Sequence, residues 1–311
     1  MDDLGLILNL NILRAAVRMS TPITLAAMGL IVTELSGVTN IGVEGIMLTT
    51  AFVSVAVSYF TGSWVAGLSA AIIAGIILAL IIAVLHLKFQ ANIFVAGIAI
   101  NLFAIAFTRF LLVNIFETSG SFYSPEIVPI PELEIPIIAN IPLLNKLFSG
   151  YLLTDYLSII LVFVFFILIY KTTWGLRIRF VGNRPEAVEA AGINVTLKKY
   201  QTLVVSGIMG GIAGAHLSLG YTTQFIENMT NGRGFIAVAA MFFGGITPIK
   251  TWFASLFFGF TEALGNNLQS SLGLPSQFML MIPYVATVIA ITIGTIRYRR
   301  KKDSDSEDIF K

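Results

Sequence analysis

Two short strings place hydrogen-bonding groups where the chain is otherwise apolar. Thr39-Asn40-Ile41-Gly42, followed by Glu44 and Gly45, interrupts hydrophobic sequence that ends at Leu35 and resumes at Ile46. Thr230-Asn231-Gly232-Arg233-Gly234 precedes a second short apolar run that begins at Phe235. Hydroxyls, amides and glycines of this kind suit recognition by hydrogen bonds rather than bond making. The chain has no cysteine, so disulfides and thiolate metal sites are excluded. His86 and His216 are the only histidines, too few for a histidine metal centre. No acid pair or Ser/His/Asp set is evident. GGITPIKT at 244–251 lacks the glycine that a phosphate loop needs where Ile249 stands.

The elements that carry these strings belong in a membrane. Of 311 residues, 56% are hydrophobic and 12% charged, about half the charge of a soluble domain. A span takes roughly 20 mainly apolar residues, and 64–87, 93–116, 152–170, 200–221, 251–268 and 278–296 all qualify. The expected class is an all-α polytopic membrane protein of about 8–10 transmembrane helices, two of them broken or re-entrant in a pseudo-repeat. Its transmembrane domain covers 1–297, and 298–311 is a basic, then disordered, cytoplasmic tail. The start MDD has no basic stretch or cleavage site, so no removable signal peptide is expected.

Positive charge gathers at Arg14/Arg18, His86/Lys88, 171–199 and 297–302, and the positive-inside rule assigns all four to the cytoplasm. The proline- and glutamate-rich stretch 117–153 then reads as an external loop. One broken crossing is expected over about 21–60. Residues 4–18 form either an interfacial helix or an extra span, which would put the N-terminus outside.

Backbone unwound inside a bilayer exposes N–H and C=O groups that lipid cannot satisfy, so it must line a cavity or pack in protein. Paired glycine-interrupted segments in two halves are a pointer to a transporter solute site. On this reading the pathway carries Thr39, Asn40, Gly42, Glu44, Gly45, Asn101, Thr230, Asn231, Gly232, Gly234 and Phe235. The other reading makes both strings re-entrant loops that only shape the fold. Glu34 and Glu44 are functional candidates as intramembrane acids, but capping of broken-helix amides or pairing with a buried arginine is favoured for both. Arg109, Asn101 and Asn114 share one span, and Glu262, Asn266, Asn267 and Gln269 another. Such amides can meet solute or tie helices together. The GxxxG patterns in 207–214 are read as packing.

Between two spans, 171–199 carries Asn183 as a helix cap, Pro185 for the first turn, Glu186 and Glu189 for its positive end, and Gly192 for its stop. A short exposed helix at about 185–191 is predicted on the cytoplasmic face, fit either for a soluble partner or for plain solvation.

The run TPITLAAMGLIVTELSGVTNIGVEGIMLTTAF resembles the N-terminal half of permease subunits of ATP-binding-cassette importers. TTWGLRIRFVGNRPEAVEAAGINV resembles their coupling loop, and GRGFIAVAAMFFGG their second broken helix. The likeness covers about 15–297 and is nearest the nucleoside branch, related to ribose and branched-chain amino acid permeases. It implies the shorter of two paired permeases, a cytoplasmic ATPase that uses the ATP, and an external substrate-binding lipoprotein. No cofactor of its own, no catalytic residue and no nucleic acid are implied. It assigns Asn183, Arg184, Pro185, Glu186, Ala187, Ala190 and Gly192 to ATPase coupling. The amides Asn101, Asn266, Asn267 and Gln269, the hydroxyls Thr39 and Thr230, and the aromatics Phe94, Phe225 and Phe235 suit a neutral solute with hydroxyls and a flat ring, a nucleoside. A sugar or branched-chain amino acid permease, an ion-coupled secondary transporter using Glu34, Glu44 or Glu262, and a membrane enzyme are the alternatives.

Overall fold

The structure is a computed structural model that describes residues 10–134 and 149–272. The expected span at 278–296, the tail and Gln269's side chain lie outside the described residues. Among the described residues six helices are long and apolar enough to cross a membrane. In chain order the helices are α1 (Leu10–Leu35), α2 (Val43–Thr61), α3 (Trp64–Ala83, continued by a π turn Val84–Lys88), α4 (Ile93–Phe116), α5 (Leu153–Lys171), α6 (Thr173–Asn183), α7 (Pro185–Ala190), α8 (Val195–Ala215, continued by a π segment His216–Thr222), α9 (Arg233–Phe243) and α10 (Pro248–Leu272). The four strands among the described residues are two-residue pieces between helices, β1 (Ser121–Phe122) with β4 (Phe225–Ile226) and β2 (Glu132–Leu133) with β3 (Tyr151–Leu152). The protein is an all-α polytopic membrane protein.

Burial separates a centre from a periphery. The apolar windows of α1, α2 and α8 are 83%, 78% and 78% buried, while those of α3, α4 and α5 are only 33%, 39% and 33% buried. The first three therefore form the core, and the others turn large apolar side chains outward, such as Ile73 and Ile77, Leu102 and Phe103, and Phe163 and Ile167. Such faces would be a liability in water and suit hydrocarbon.

The core is joined by small residues and hydroxyls. A β-carbon on Gly75 of α3 would stand 2.2 Å from the carbonyl oxygen of Gly207 on α8, so only glycine permits this backbone approach. Ser54 and Ser218 share a hydrogen bond of 2.8 Å, and Ser36 and Thr202 one of 2.9 Å. The glycines of 207–214 thus pack α8 against its neighbours. Asp155 lies fully inside the protein and is satisfied by Thr21 Oγ1 at 2.6 Å and the N–H of Leu152 at 3.0 Å.

These contacts correct the expected topology. Arg14 donates to the carbonyl of Ser149 (3.0 Å), and Arg18 to the carbonyl of Gly150 and to Glu132 (2.8 Å each). Both arginines therefore sit on the side of the 117–153 loop, not opposite it. At its other end α1 meets α6, where a β-carbon on Gly182 would lie 2.2 Å from the Leu35 carbonyl oxygen. α1 thus runs from one face to the other by itself. α2 returns to the loop side, where Ser58 donates to the Val128 carbonyl at 3.0 Å. The single broken crossing at 21–60 is in fact two antiparallel crossings. The charge rule failed at Arg14 and Arg18 because loop carbonyls and a carboxylate hold their guanidiniums.

If the Arg18–Glu132 pair is a strut between α1 and the loop, the two positions are coupled. Arg18→Ala is expected to lower thermal stability by about 1 kcal/mol, a surface-pair magnitude because both side chains are partly exposed. The double variant with Glu132→Ala should cost less than the sum of the singles, measured as melting shifts in detergent.

Candidate functional site

α2 and α9 both start inside the protein, and each leaves N–H groups without an intrahelical partner. The chain supplies acceptors from elsewhere. Asn40 turns its Oδ1 to the N–H of Gly42 at 3.0 Å, and its Nδ2 donates to Ser206 Oγ on α8 at 3.0 Å. Asn101 on α4 accepts from the N–H of Gly45 at 2.7 Å and donates to the Ile41 carbonyl at 3.1 Å. One amide thereby closes both sides of the break and fastens α4 to it.

α9 has no side-chain cap of its own. Gly232, at φ 83°, takes a left-handed turn that favours glycine and cannot supply one. Its cap comes from α2 instead. Glu44 Oε1 accepts the N–H of Gly232 at 2.8 Å, and Oε2 the N–H of Gly234 at 2.6 Å. A β-carbon on Gly234 would meet the Cα of Glu44 at 2.7 Å, so the two starts touch at backbone distance. Glu44 also lies in the first turn of α2. One carboxylate therefore faces the positive ends of two helices. Arg233 does not pair with it, because its guanidinium reaches Glu262 on α10 and the carbonyl of Met229.

The strings predicted to be one site do come together, through Glu44. Their groups differ in exposure. Asn40, Gly42, Glu44, Gly45, Asn101, Thr230 and Gly234 are buried, Thr39 and Gly232 are half-buried, and Asn231 and Phe235 are exposed. Thr39 donates to Glu34 at 2.7 Å. Of the other candidates, Phe225 is sealed edge-on against Phe52, whereas Phe94 is exposed. Arg109 pairs with Glu227 at 3.8 Å, Asn114 donates to the Phe110 carbonyl, and Asn266 contacts the Met19 sulfur.

At the far end of α1, the predicted cytoplasmic helix appears as α7, with Pro185 in its first turn. Gly192, at φ 78°, ends it. Asn183 is not its cap. That residue closes α6, and Arg184, outside helical geometry, joins the two helices. Sequence reasoning missed α6, although Thr172 is its cap and accepts from the N–H of Gly175 at 3.1 Å. Val188 is buried with Val181 and Val195, whereas Arg184, Pro185, Glu186, Ala187 and Ala190 face outward. The helix is thus anchored by one apolar side chain and displayed on its remaining faces.

Removing the Asn101 amide takes the acceptor from the buried N–H of Gly45 and a donor from the half-buried Ile41 carbonyl. Asn101→Leu should therefore destabilise the folded protein by about 1–3 kcal/mol, read as a lower melting midpoint, while Asn114→Leu should change it little.

The pattern of the family described as "Branched-chain amino acid transport system / permease component" matches residues 12–291. The chain is 38% identical to the guanosine ABC transporter permease protein NupQ of Bacillus subtilis, over 88% of each chain. It is 33% identical to the nucleoside ABC transporter permease protein NupC of Lactococcus lactis, over 88% of this chain and 89% of that one. It is 30% identical to the putative glucose ABC transporter permease protein TsgC13 of Haloferax volcanii, over 92% of each. With its core helices, paired internal breaks and nearly the whole chain matched, this protein belongs to the family of branched-chain amino acid transport system permease components.

Proposed function

We propose that this permease is one of two membrane subunits of an ATP-driven importer in a prokaryotic cell membrane, and that its solute is a nucleoside. The observation that carries the solute class is likeness to the guanosine and nucleoside permeases over 88% of the chain. The exposed α7, held by Val188 alone among its side chains, supports docking of a cytoplasmic ATPase. That subunit uses the ATP, an external lipoprotein delivers solute, and a longer second permease completes the pathway. In this reading solute passes the open rim of the α2–α9 joint, along Thr39, Asn231, Gly232 and Phe235. The buried Asn40, Gly42, Glu44, Gly45, Asn101, Thr230 and Gly234 hold that rim in place. The rim offers a hydroxyl, an amide and an aromatic ring, which suit sugar hydroxyls and a flat base. A sugar solute is the second reading, favoured by the likeness to a putative glucose permease.

The test is uptake of labelled guanosine or adenosine by a host that lacks its own nucleoside systems and expresses all four components. Unlabelled nucleosides should compete, with glucose, ribose and leucine inert. Competition by a sugar or by leucine, with nucleosides inert, would overturn the assignment.

The exposed face of α7 gives a second expectation. Ala187→Arg adds bulk and charge where the ATPase is to sit, without touching the buried Val188. The protein should insert at normal abundance, while ATP hydrolysis is no longer stimulated by solute and uptake falls. Undiminished uptake would remove α7 from the docking surface.

A further inference from the structure

The contact between Glu44 and the start of α9 joins segments 190 residues apart. Both carboxylate oxygens are spent on backbone N–H groups, and the residue is 8% exposed. The guanidinium of Arg233, in the first turn of α9, is engaged by Glu262 and the Met229 carbonyl. A carboxyl group buried without a cationic partner is costly unless hydrogen-bond donors and fixed dipoles replace its hydration. Here two helix starts and two N–H donors do so. Asn40 ties the break before α2 to α8, and Asn101 ties that break and Gly45 in the first turn of α2 to α4. The start of α9 is thus tied through one side chain to a joint that is itself held from two sides. Removal of the carboxylate would leave the half-buried N–H of Gly232 and the buried N–H of Gly234 without their acceptor.

We propose that Glu44 is a positioning residue for transport, a permanent clasp that makes the starts of α2 and α9 move as one body while access switches. It touches no solute and transfers no proton. Glutamine at position 44 keeps the length but swaps one acceptor oxygen for an NH2 group, which faces an N–H and cannot accept from it. Aspartate keeps the charge but is one methylene too short to reach both amides. The proposal rests on the importer reading above, for the two nucleotide states of the first experiment and for the transport readout of the second, but not on the solute's identity.

The first experiment needs no solute. Amide hydrogen exchange is followed over residues 230–238 in the assembled transporter, with and without a non-hydrolysed ATP analogue. A permanent clasp predicts equal protection of this segment in both states, and loss of protection in Glu44→Gln in both. Protection that changes with nucleotide in the unmodified protein, or that survives Glu44→Gln, overturns the proposal. The second experiment measures uptake per inserted transporter, with whichever solute the unmodified protein moves, beside ATP consumption. Loss of a hydrogen bond to a charged group predicts that maximal uptake falls roughly ten- to hundredfold in Glu44→Gln. KM should change little, and ATP spent per solute should rise. A decline that merely tracks lower abundance, with the ATP-to-solute ratio unchanged, assigns Glu44 a folding role and overturns the claim. If the glutamine variant does not insert, Glu44→Asp is judged by the same ratio. Absence of any nucleoside uptake by the unmodified protein would refute the importer's solute assignment while leaving the exchange result to decide on the clasp.

Discussion

A backbone N–H that loses its helical partner away from water must find another acceptor within the protein. Much of this structure follows from that constraint. The two breaks free donors at the starts of α2 and α9, and the chain answers with Asn40, Asn101 and Glu44. Asn101 and Glu44 reach in from other elements, and Asn40 caps locally while its Nδ2 binds Ser206 on α8, so each capping side chain is also a tertiary tie. Local capping and global architecture are the same set of bonds, and the core helices cannot separate without exposing them. The glycines have a matching role. They bring backbones close enough that an amide or a carboxylate from a neighbour can reach across.

Burial follows from the same logic. Hydrocarbon offers no hydrophobic drive between helices, so packing distance and hydrogen bonds must hold the bundle. The α2–α8 seam uses small hydroxyl residues for this, with Ser54 against Ser218 and Thr50 donating to the Gly210 carbonyl. The outer helices carry isoleucine and phenylalanine outward and need fewer such ties. That division explains why the core is made of less hydrophobic sequence than the periphery, with span hydropathies of 1.5–1.6 for α1, α2 and α8 against 2.0–3.0 for the outer three.

Much of this was legible in the sequence. Apolar length located the spans, and the Thr-Asn-Gly strings located both breaks. Pro185 and Gly192 bounded α7, because a proline first turn and a left-handed stop are local features. What could not be read was where long-range partners lie. Glu44 could be suspected as a cap, but nothing local pointed to α9 as the helix it caps. Arg14 and Arg18 were assigned by a rule about loops, whereas their side chains answer to particular carbonyls far along the chain. The broken segment was counted as one crossing because its two apolar arms are separated by only a few residues. The turn at Gly37, at φ 76°, lets so short a link reverse direction. α6 was missed because its mixture of arginine and apolar residues has the look of a basic loop.

The meeting of α6 with the end of α1 has a mechanical meaning. Gly182 lies against Leu35 and Gly37 with no side chain between the backbones. A contact without side chains has no rotamers to absorb strain, so displacement of one backbone is passed directly to the other. α6 is 11 residues long, a rod of about 16 Å. Pivoting it by about 10° at its Thr173 end would carry the Gly182 end through about 3 Å, comparable to two residues of helical rise. The face opposite the 117–153 loop therefore holds a short, stiff lever whose tip rests on the turn between the first two crossings.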